Sequence, residues 1–188
     1  MQMGFYFDQT RCDGCLACII ACKDWNNVNA GSASWKKVIT LEKGKYPDLF
    51  VAFLSTSCYH CAHPKCVLVC PVSAIVKEEV YGVVLVDNDA CLGRDSCNIC
   101  LSVCPYEAPQ FGDEDNAKMQ KCNFCMDRLK ESKKPVCVGA CTMRALDAGS
   151  TEELKRIYGD IREAHGFIYS EELSPSIVFK PKNNSQDI

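Results

Sequence analysis

Sixteen cysteines stand in this chain of 188 residues, in four groups of four with none left over. The first group is Cys12, Cys15, Cys18 and Cys22, spaced C-x2-C-x2-C-x3-C. The second is Cys58, Cys61, Cys66 and Cys70, spaced C-x2-C-x4-C-x3-C and followed by Pro71. The third is Cys91, Cys97, Cys100 and Cys104, spaced C-x5-C-x2-C-x3-C and followed by Pro105. The fourth is Cys122, Cys125, Cys137 and Cys141, spaced C-x2-C-x11-C-x3-C. A cubane iron–sulfur cluster takes four thiolates, and a compact loop carrying three, with one more from elsewhere, is how a short peptide supplies them. Four such sets imply four [4Fe–4S] clusters.

The loop chemistry supports that reading. In C-x2-C-x2-C the backbone wraps the cluster and its amide N–H groups point at the sulfurs, which with burial sets the reduction potential. Gly14 and Gly93 stand where such a loop needs positive φ. The last cysteine of each run points away from its own loop and reaches a neighbouring cluster, so that clusters are held in pairs. Pro71 and Pro105 follow that cysteine in two motifs, as in bacterial ferredoxins, whereas Lys23 and Thr142 take the place in the other two.

Structural zinc is the competing metal. It is held by separated C-x2-C pairs, a geometry that three cysteines within seven residues would crowd; only the open fourth motif suits it better. Haem attachment is excluded, because no C-x-x-C is followed by His. Disulfides fit poorly, since cysteines two residues apart in series make a cluster cradle rather than a set of bridges. The opening residues read as no secretory leader, being uncharged and then interrupted by Asp8 and Arg11. Free thiolates imply assembly in a reducing compartment.

Bulk properties narrow the function classes. A chain of this length makes one domain or two small ones. Its 21 basic and 24 acidic side chains leave a net charge of −3, which gives no sign of a nucleic-acid partner. Thiolate-bound clusters would make it more negative. The apolar run Leu49–Leu54 is far shorter than the ~18 residues of a membrane span. There is no phosphate-binding glycine loop, no Ser/His/Asp set and no carboxylate pair with a cleft to serve, so the chain reads as a non-catalytic carrier.

Between motifs two and three, two β-branched runs flank a polar turn ending in Gly82, which predicts a β-hairpin over Pro71–Asp87. Cluster loop, hairpin, cluster loop is the ferredoxin plan. A short helix is expected over Ala17–Trp25, and two strands over Lys37–Leu41 and Leu49–Leu54 about a Gly44/Pro47 turn. Ser150-Thr-Glu-Glu153 is a capping box for a helix running to about Ala164, with Leu154, Ile157, Tyr158 and Ile161 as its core stripe. The last ten residues read as a loose tail. Ile177-Val-Phe179, apolar without an obvious local partner, is expected to dock onto another subunit. His60 and His63 read as loop residues rather than ligands, because the cysteine sets are complete. Asp24 and Trp25 read as helix-surface and packing residues.

The stretch Arg11-Cys-Asp-Gly-Cys-Leu-Ala-Cys-Ile-Ile-Ala-Cys-Lys-Asp-Trp25, the spacing of motif two, and Val136-Cys-Val-Gly-Ala-Cys-Thr-Met-Arg-Ala-Leu-Asp147 together resemble one family. It is the iron–sulfur electron-transfer (beta) subunit of dimethyl-sulfoxide-reductase-type molybdopterin oxidoreductases, and the resemblance covers about residues 4–165. It implies an α+β fold of tandem bacterial-ferredoxin-like modules, two double-cluster units with one nested in the other, built of small β-hairpins, short helices and long loops. The outer module would take residues 1–50 and 106–149, the inner one 51–105, and residues 150–188 would form a C-terminal helix and partner-docking tail.

The resemblance also implies the ligand sets. Cluster one would take Cys12, Cys15, Cys18 and Cys141, and cluster two Cys22, Cys122, Cys125 and Cys137. Cluster three would take Cys58, Cys61, Cys66 and Cys104, and cluster four Cys70, Cys91, Cys97 and Cys100. By analogy cluster one lies nearest the partner's pterin. Loop lengths alone also allow sequential pairing of the motifs. Motif three departs from the family, with three extra residues, Arg94-Asp-Ser96, between Cys91 and Cys97. Bulging outward they leave four ligands in place; releasing Cys91 they leave an altered, three-iron centre. An Arg94 lying over the cluster would raise its potential.

The function so implied is single-electron relay between a molybdenum- or tungsten-pterin catalytic subunit and a quinone-linked membrane anchor or soluble carrier. The chain would work in the cytoplasm, or outside it by co-export with a signal-bearing partner, and at the membrane periphery if anchored. The alternatives are a free polyferredoxin, a subunit of another redox complex, and a zinc-stapled interaction module.

Overall fold

The computed structural model describes residues 1–183. Along the chain the elements run β1 (Met3–Asp8), α1 (Ala17–Trp25), β2 (Lys36–Lys43), β3 (Phe50–Ser57), α2 (Lys65–Leu68), β4 (Ile75–Lys77) and β5 (Val84–Val86). They continue with α3 (Ile99–Ser102), α4 (Met126–Lys130), α5 (Val136–Gly139), β6 (Leu146–Ser150), α6 (Thr151–Tyr158) and β7 (Ile177–Lys180). The content is α+β, with short helices and long connections.

Two of the three sheets are the hairpins that patterning predicts. β2 and β3 pair antiparallel from Lys36↔Ser57 to Lys43↔Phe50, and the turn between them holds Gly44 at φ 84°. β4 and β5 pair antiparallel about a turn with Gly82 at φ 65°, a left-handed conformation that glycine adopts without a Cβ penalty. The helix expected at Ala17–Trp25 is α1, entered through Leu16 in the left-handed region.

The third sheet has the order β6-β1-β7, and it brings the two ends of the molecule together. β1 runs antiparallel to β6 and parallel to β7, and all six of its residues are buried. A central strand covered on both faces shows no polar/apolar alternation. Here the structure corrects two expectations. Ile177-Val-Phe179 is not a docking segment: it lies in β7, with Ile177, Val178 and Phe179 at 5%, 1% and 0% exposure. Of the last ten residues, expected as a loose tail, Phe179 and Lys180 belong to β7, and residues 184–188 lie outside the described residues.

The capping box does form, with Ser150 Oγ accepting from the Glu153 amide at 3.2 Å. However, α6 ends at Tyr158 and not near Ala164, because Gly159 turns the chain at φ 85°. Of the expected stripe, Leu154 is buried and Tyr158 stacks on Tyr6 at 3.7 Å between ring centroids, whereas Ile157 and Ile161 are exposed.

A single apolar cluster runs from Phe5 and Phe7 of β1 through Leu54 of β3, Val83 beside β5, and Phe124, to Phe179 of β7. It draws on the first, middle and last parts of the sequence. The β2–β3 hairpin, paired along its whole length, contributes Leu54 to this cluster. A smaller cluster of Ile75, Val84, Phe111 and Met119 supports the β4–β5 hairpin. Among the described residues no helix is long and apolar enough to cross a membrane.

Candidate metal centres

In every motif the last two cysteines, always four residues apart, lie on or just beyond a short helix: Cys18 and Cys22 on α1, Cys66 on α2 with Cys70 beyond it, Cys100 on α3 with Cys104 beyond it, and Cys137 on α5 with Cys141 beyond it. Four residues of helix rise about 6 Å and return to nearly the same face. The two sulfurs are thereby offered to two different neighbourhoods.

The cysteines gather accordingly. Cys12, Cys15, Cys18 and Cys141 line a cavity of about 20 Å³ walled by Phe7, Val38 and Leu146. Cys70, Cys91, Cys97 and Cys100 line a second, of about 20 Å³, walled by Ile75, Phe111 and Met119. The Cys22 thiol is pushed up to about 12 by burial and by the neighbouring charges of Cys137, Cys125 and Cys18. Burial, with Cys22 and Cys137 beside it, likewise raises Cys122. Burial and the charges of Cys58, Cys104 and Cys66 take Cys61 to about 12. Cys100 stands at about 11, raised by burial against a lowering backbone N–H, with Cys91, Cys97 and Cys70 also raising it. Cysteines from separate motifs are thus brought together, some of them facing more than one group.

The sets also adjoin in order. Cys18 feels Cys137, which joins the first set to the second, and Cys122 feels Cys58, which joins the second to the third. α2 and α3 pack together, bringing Cys66 and Cys70 of the second motif near Cys100 and Cys104 of the third.

Sulfur-directed donors are present. The Ala145 amide donates to Cys141 Sγ at 3.2 Å, and the Phe124 amide to Cys122 Sγ at 3.4 Å. Gly14 and Gly93 have φ 75° and 90°, as the loops require. Buried thiols are weak acids, so a metal that takes them as thiolates expels protons on binding. Four thiols around an apolar-walled cavity with N–H groups aimed at sulfur suit a cluster, each of whose irons holds one thiolate at a separate corner. Among the described residues no three His, Cys, Asp or Glu side chains converge on one ion. Tetrahedral zinc would draw its sulfurs to within about 3.8 Å of one another, given ~2.3 Å Zn–S bonds.

The extra residues of motif three fold against the 112–118 segment. The Arg94 amide donates to Ala117 O at 2.9 Å, and its guanidinium to Gly112 O at 3.2 Å, turning that charge toward Asp113. The cation that reaches Cys91 is Lys118, whose Nζ donates to the Cys91 carbonyl at 2.9 Å. His60 is fully buried and holds the second cysteine loop to β5, its Nδ1 accepting the Val84 amide at 3.1 Å. His63 is exposed. Trp25 donates to Asp127 Oδ2 at 2.9 Å and carries Arg128 over its ring, in keeping with a packing role.

Sequence reading missed Lys36 and Lys121, each only 4% exposed. Burial works against the Lys36 ammonium, yet the charges of Cys137, Cys18, Cys122 and Cys22 outweigh it and raise its pKa. Lys121 donates to the carbonyls of Val84 and Cys122. Strand alternation places Lys36 on one face with Val38, but nothing local says which face is buried, so neither lysine was legible.

Comparison with known proteins adds a further finding. The family described as "4Fe-4S dicluster domain" matches residues 49–151. A component of the anaerobic dimethyl sulfoxide reductase of Escherichia coli is 39% identical over 98% of this chain and 91% of its own length. The component of the same name from Haemophilus influenzae is 36% identical, over 96% and 89%. A component of the sulfite dehydrogenase of Allochromatium vinosum is 35% identical, over 97% and 82%.

Proposed function

Because this protein belongs to the 4Fe–4S dicluster family that includes the iron–sulfur subunit of dimethyl sulfoxide reductases, we propose that it carries single electrons along four [4Fe–4S] clusters within an oxidoreductase complex. The observation that supports the proposal is the closeness of cysteines from separate motifs: Cys12, Cys15, Cys18 and Cys141 about one cavity, Cys70, Cys91, Cys97 and Cys100 about another, Cys22 beside Cys137 and Cys125, and Cys61 beside Cys58, Cys104 and Cys66. Cys12, Cys15, Cys18 and Cys141 hold the first cluster, and Cys22, Cys122, Cys125 and Cys137 the second. Cys58, Cys61, Cys66 and Cys104 hold the third, and Cys70, Cys91, Cys97 and Cys100 the fourth. Motifs one and four thus form an outer pair around an inner pair from motifs two and three. Cys91 shares its cavity with the other three thiols of its set, which favours a complete fourth cluster despite the insertion.

Each cluster, when bound, supplies one reversible one-electron couple. The protein's own residues set the conditions. The paired cysteines of α1, α2, α3 and α5 hold successive sites one helical turn apart. The Ala145 and Phe124 amides donate to ligand sulfur and so favour the more negative, reduced state. Apolar walls beside the Cys12 and Cys91 groups limit charge screening there.

The partner at one end is a molybdenum- or tungsten-pterin catalytic subunit, facing the Cys12 set. At the other end, facing the Cys91 set, it is a membrane anchor or a soluble carrier. The names of the relatives, components of a dimethyl sulfoxide reductase and of a sulfite dehydrogenase, support membership of such a complex. The protein works wherever those partners place it, at the membrane periphery if anchored.

The test is iron and acid-labile sulfide per chain on anaerobically purified protein, with its visible and EPR spectra. About sixteen of each are expected. About fifteen iron with sixteen sulfide would mean one three-iron centre and would correct the Cys91 assignment. Zinc without sulfide would overturn the electron-transfer reading.

A further inference from the structure

Burying an ammonium group is costly unless an anion or a full set of acceptors compensates it. Lys36 and Lys121 are both buried, and among the described residues neither is in an ion pair with a carboxylate. Their positions are not equivalent. Lys36 opens β2, which packs beside α1, the helix that carries Cys18 and Cys22. Its Nζ lies 5.4 Å from the Phe5 ring centroid. The thiols that face it are Cys18 of the first set and Cys22, Cys122 and Cys137 of the second.

Lys121 lies at the next junction. Its Nζ bonds the carbonyl of Cys122, a member of the second set, at 3.0 Å, and also the carbonyl of Val84 in the inner hairpin. The Val84 amide in turn is tied to His60 in the second cysteine loop. The positive charge of Lys121 is felt by Cys66 and Cys104 of the third set. One buried cation therefore stands at each of the first two junctions between sets.

Resting on the function proposed above, we propose that Lys36 and Lys121 are fixed counter-charges in the gaps between clusters one and two and between clusters two and three, raising the reduction potentials of the clusters on either side. A thiolate-bound cluster is an anion that gains a further negative charge on reduction, so a fixed cation beside it favours the reduced form. Such a cluster is also the compensating anion that a buried ammonium needs. Cluster two, flanked by both lysines, is the one that both residues tune.

The test is EPR-monitored redox titration of the iron-loaded protein, as wild type and as Lys36→Met, Lys121→Met and the corresponding Arg variants. Each Met variant is expected to lower two of the four midpoint potentials, with a shift of about tenfold in the reduction equilibrium (~59 mV for a one-electron couple). Only one cluster should move in both variants, and the Arg variants should stay near wild type. Loaded Met variants with unmoved potentials would overturn the proposal. If a Met variant fails to load, loading of its Arg counterpart supports a need for charge, and failure of both shows a need for shape and overturns it. Iron and sulfide in the wild type separate the two levels. A wild type without labile sulfide fails the function itself, whereas a fully loaded wild type beside unmoved variants fails only this inference.

Discussion

Gly93 shows how far a cysteine loop depends on a single missing atom. Its φ is +90°, and a Cβ there would meet the Asn116 carbonyl oxygen at 2.5 Å. Gly93→Ala is therefore expected to destabilise by about 1–3 kcal/mol, read as a lower thermal midpoint and reduced iron content after purification; an unchanged midpoint would mean the loop relaxes freely. Two residues before it, Cys91→Ala should lower the iron count by between roughly one and four per chain while the other clusters keep their EPR signals. A count equal to wild type would show that Cys91 is no ligand. At this scale the sequence was most legible where chemistry is local: spacing marked the sixteen cysteines, and the need for positive φ marked Gly14 and Gly93. Lys36 and Lys121 escaped because a buried cation is defined by what surrounds it, and their surroundings come from segments far along the chain.

Among the elements, β7 carries the clearest test. Phe179 is fully buried, with its ring 4.7 Å from that of Phe167. Phe179→Ala is expected to cost about 3–5 kcal/mol, measured by denaturant unfolding of the iron-loaded protein; a loss under ~1 kcal/mol would mean that β7 contributes little to the fold. α1 and both hairpins were legible because each is closed by neighbours within a few residues. β1, β6 and β7 were not, because their partners lie far along the chain and a strand buried on both faces looks like any short apolar run. The helix end at Tyr158 was missed for a smaller reason: Gly159 cut short a stripe whose period continued to Ile161.

Taken as a whole, the molecule is organised around its cysteines as much as its apolar side chains, for Cys18, Cys58, Cys122 and Cys137 belong to the main core. A cavity costs about 24 cal/mol per Å³ when left unfilled. At about 20 Å³ each, the two cavities cost only about 0.5 kcal/mol, so the larger loss on metal removal is of the metal–thiolate bonds themselves, whose formation is folding free energy. Stripping iron with a chelator under anaerobic reducing conditions should therefore unfold the protein, seen as loss of far-UV and near-UV circular dichroism together. A metal-free form that kept both signals would show that the apolar core suffices alone.

The sheet β6-β1-β7 sets an order on synthesis. At ~5–20 residues per second a ribosome needs roughly ten to forty seconds to make a chain of this size. On the proposed ligand assignment the inner cysteine sets are complete once Cys104 has emerged and the outer sets wait for Cys141, while β1 waits for Leu146 and then Ile177. For most of that interval the apolar segment Met3–Asp8 has no strand to pair with. The nascent polypeptide thus matures from its middle outward, with its first-made strand the last to find shelter, and that segment is where a chaperone or an early-docking partner has most to protect.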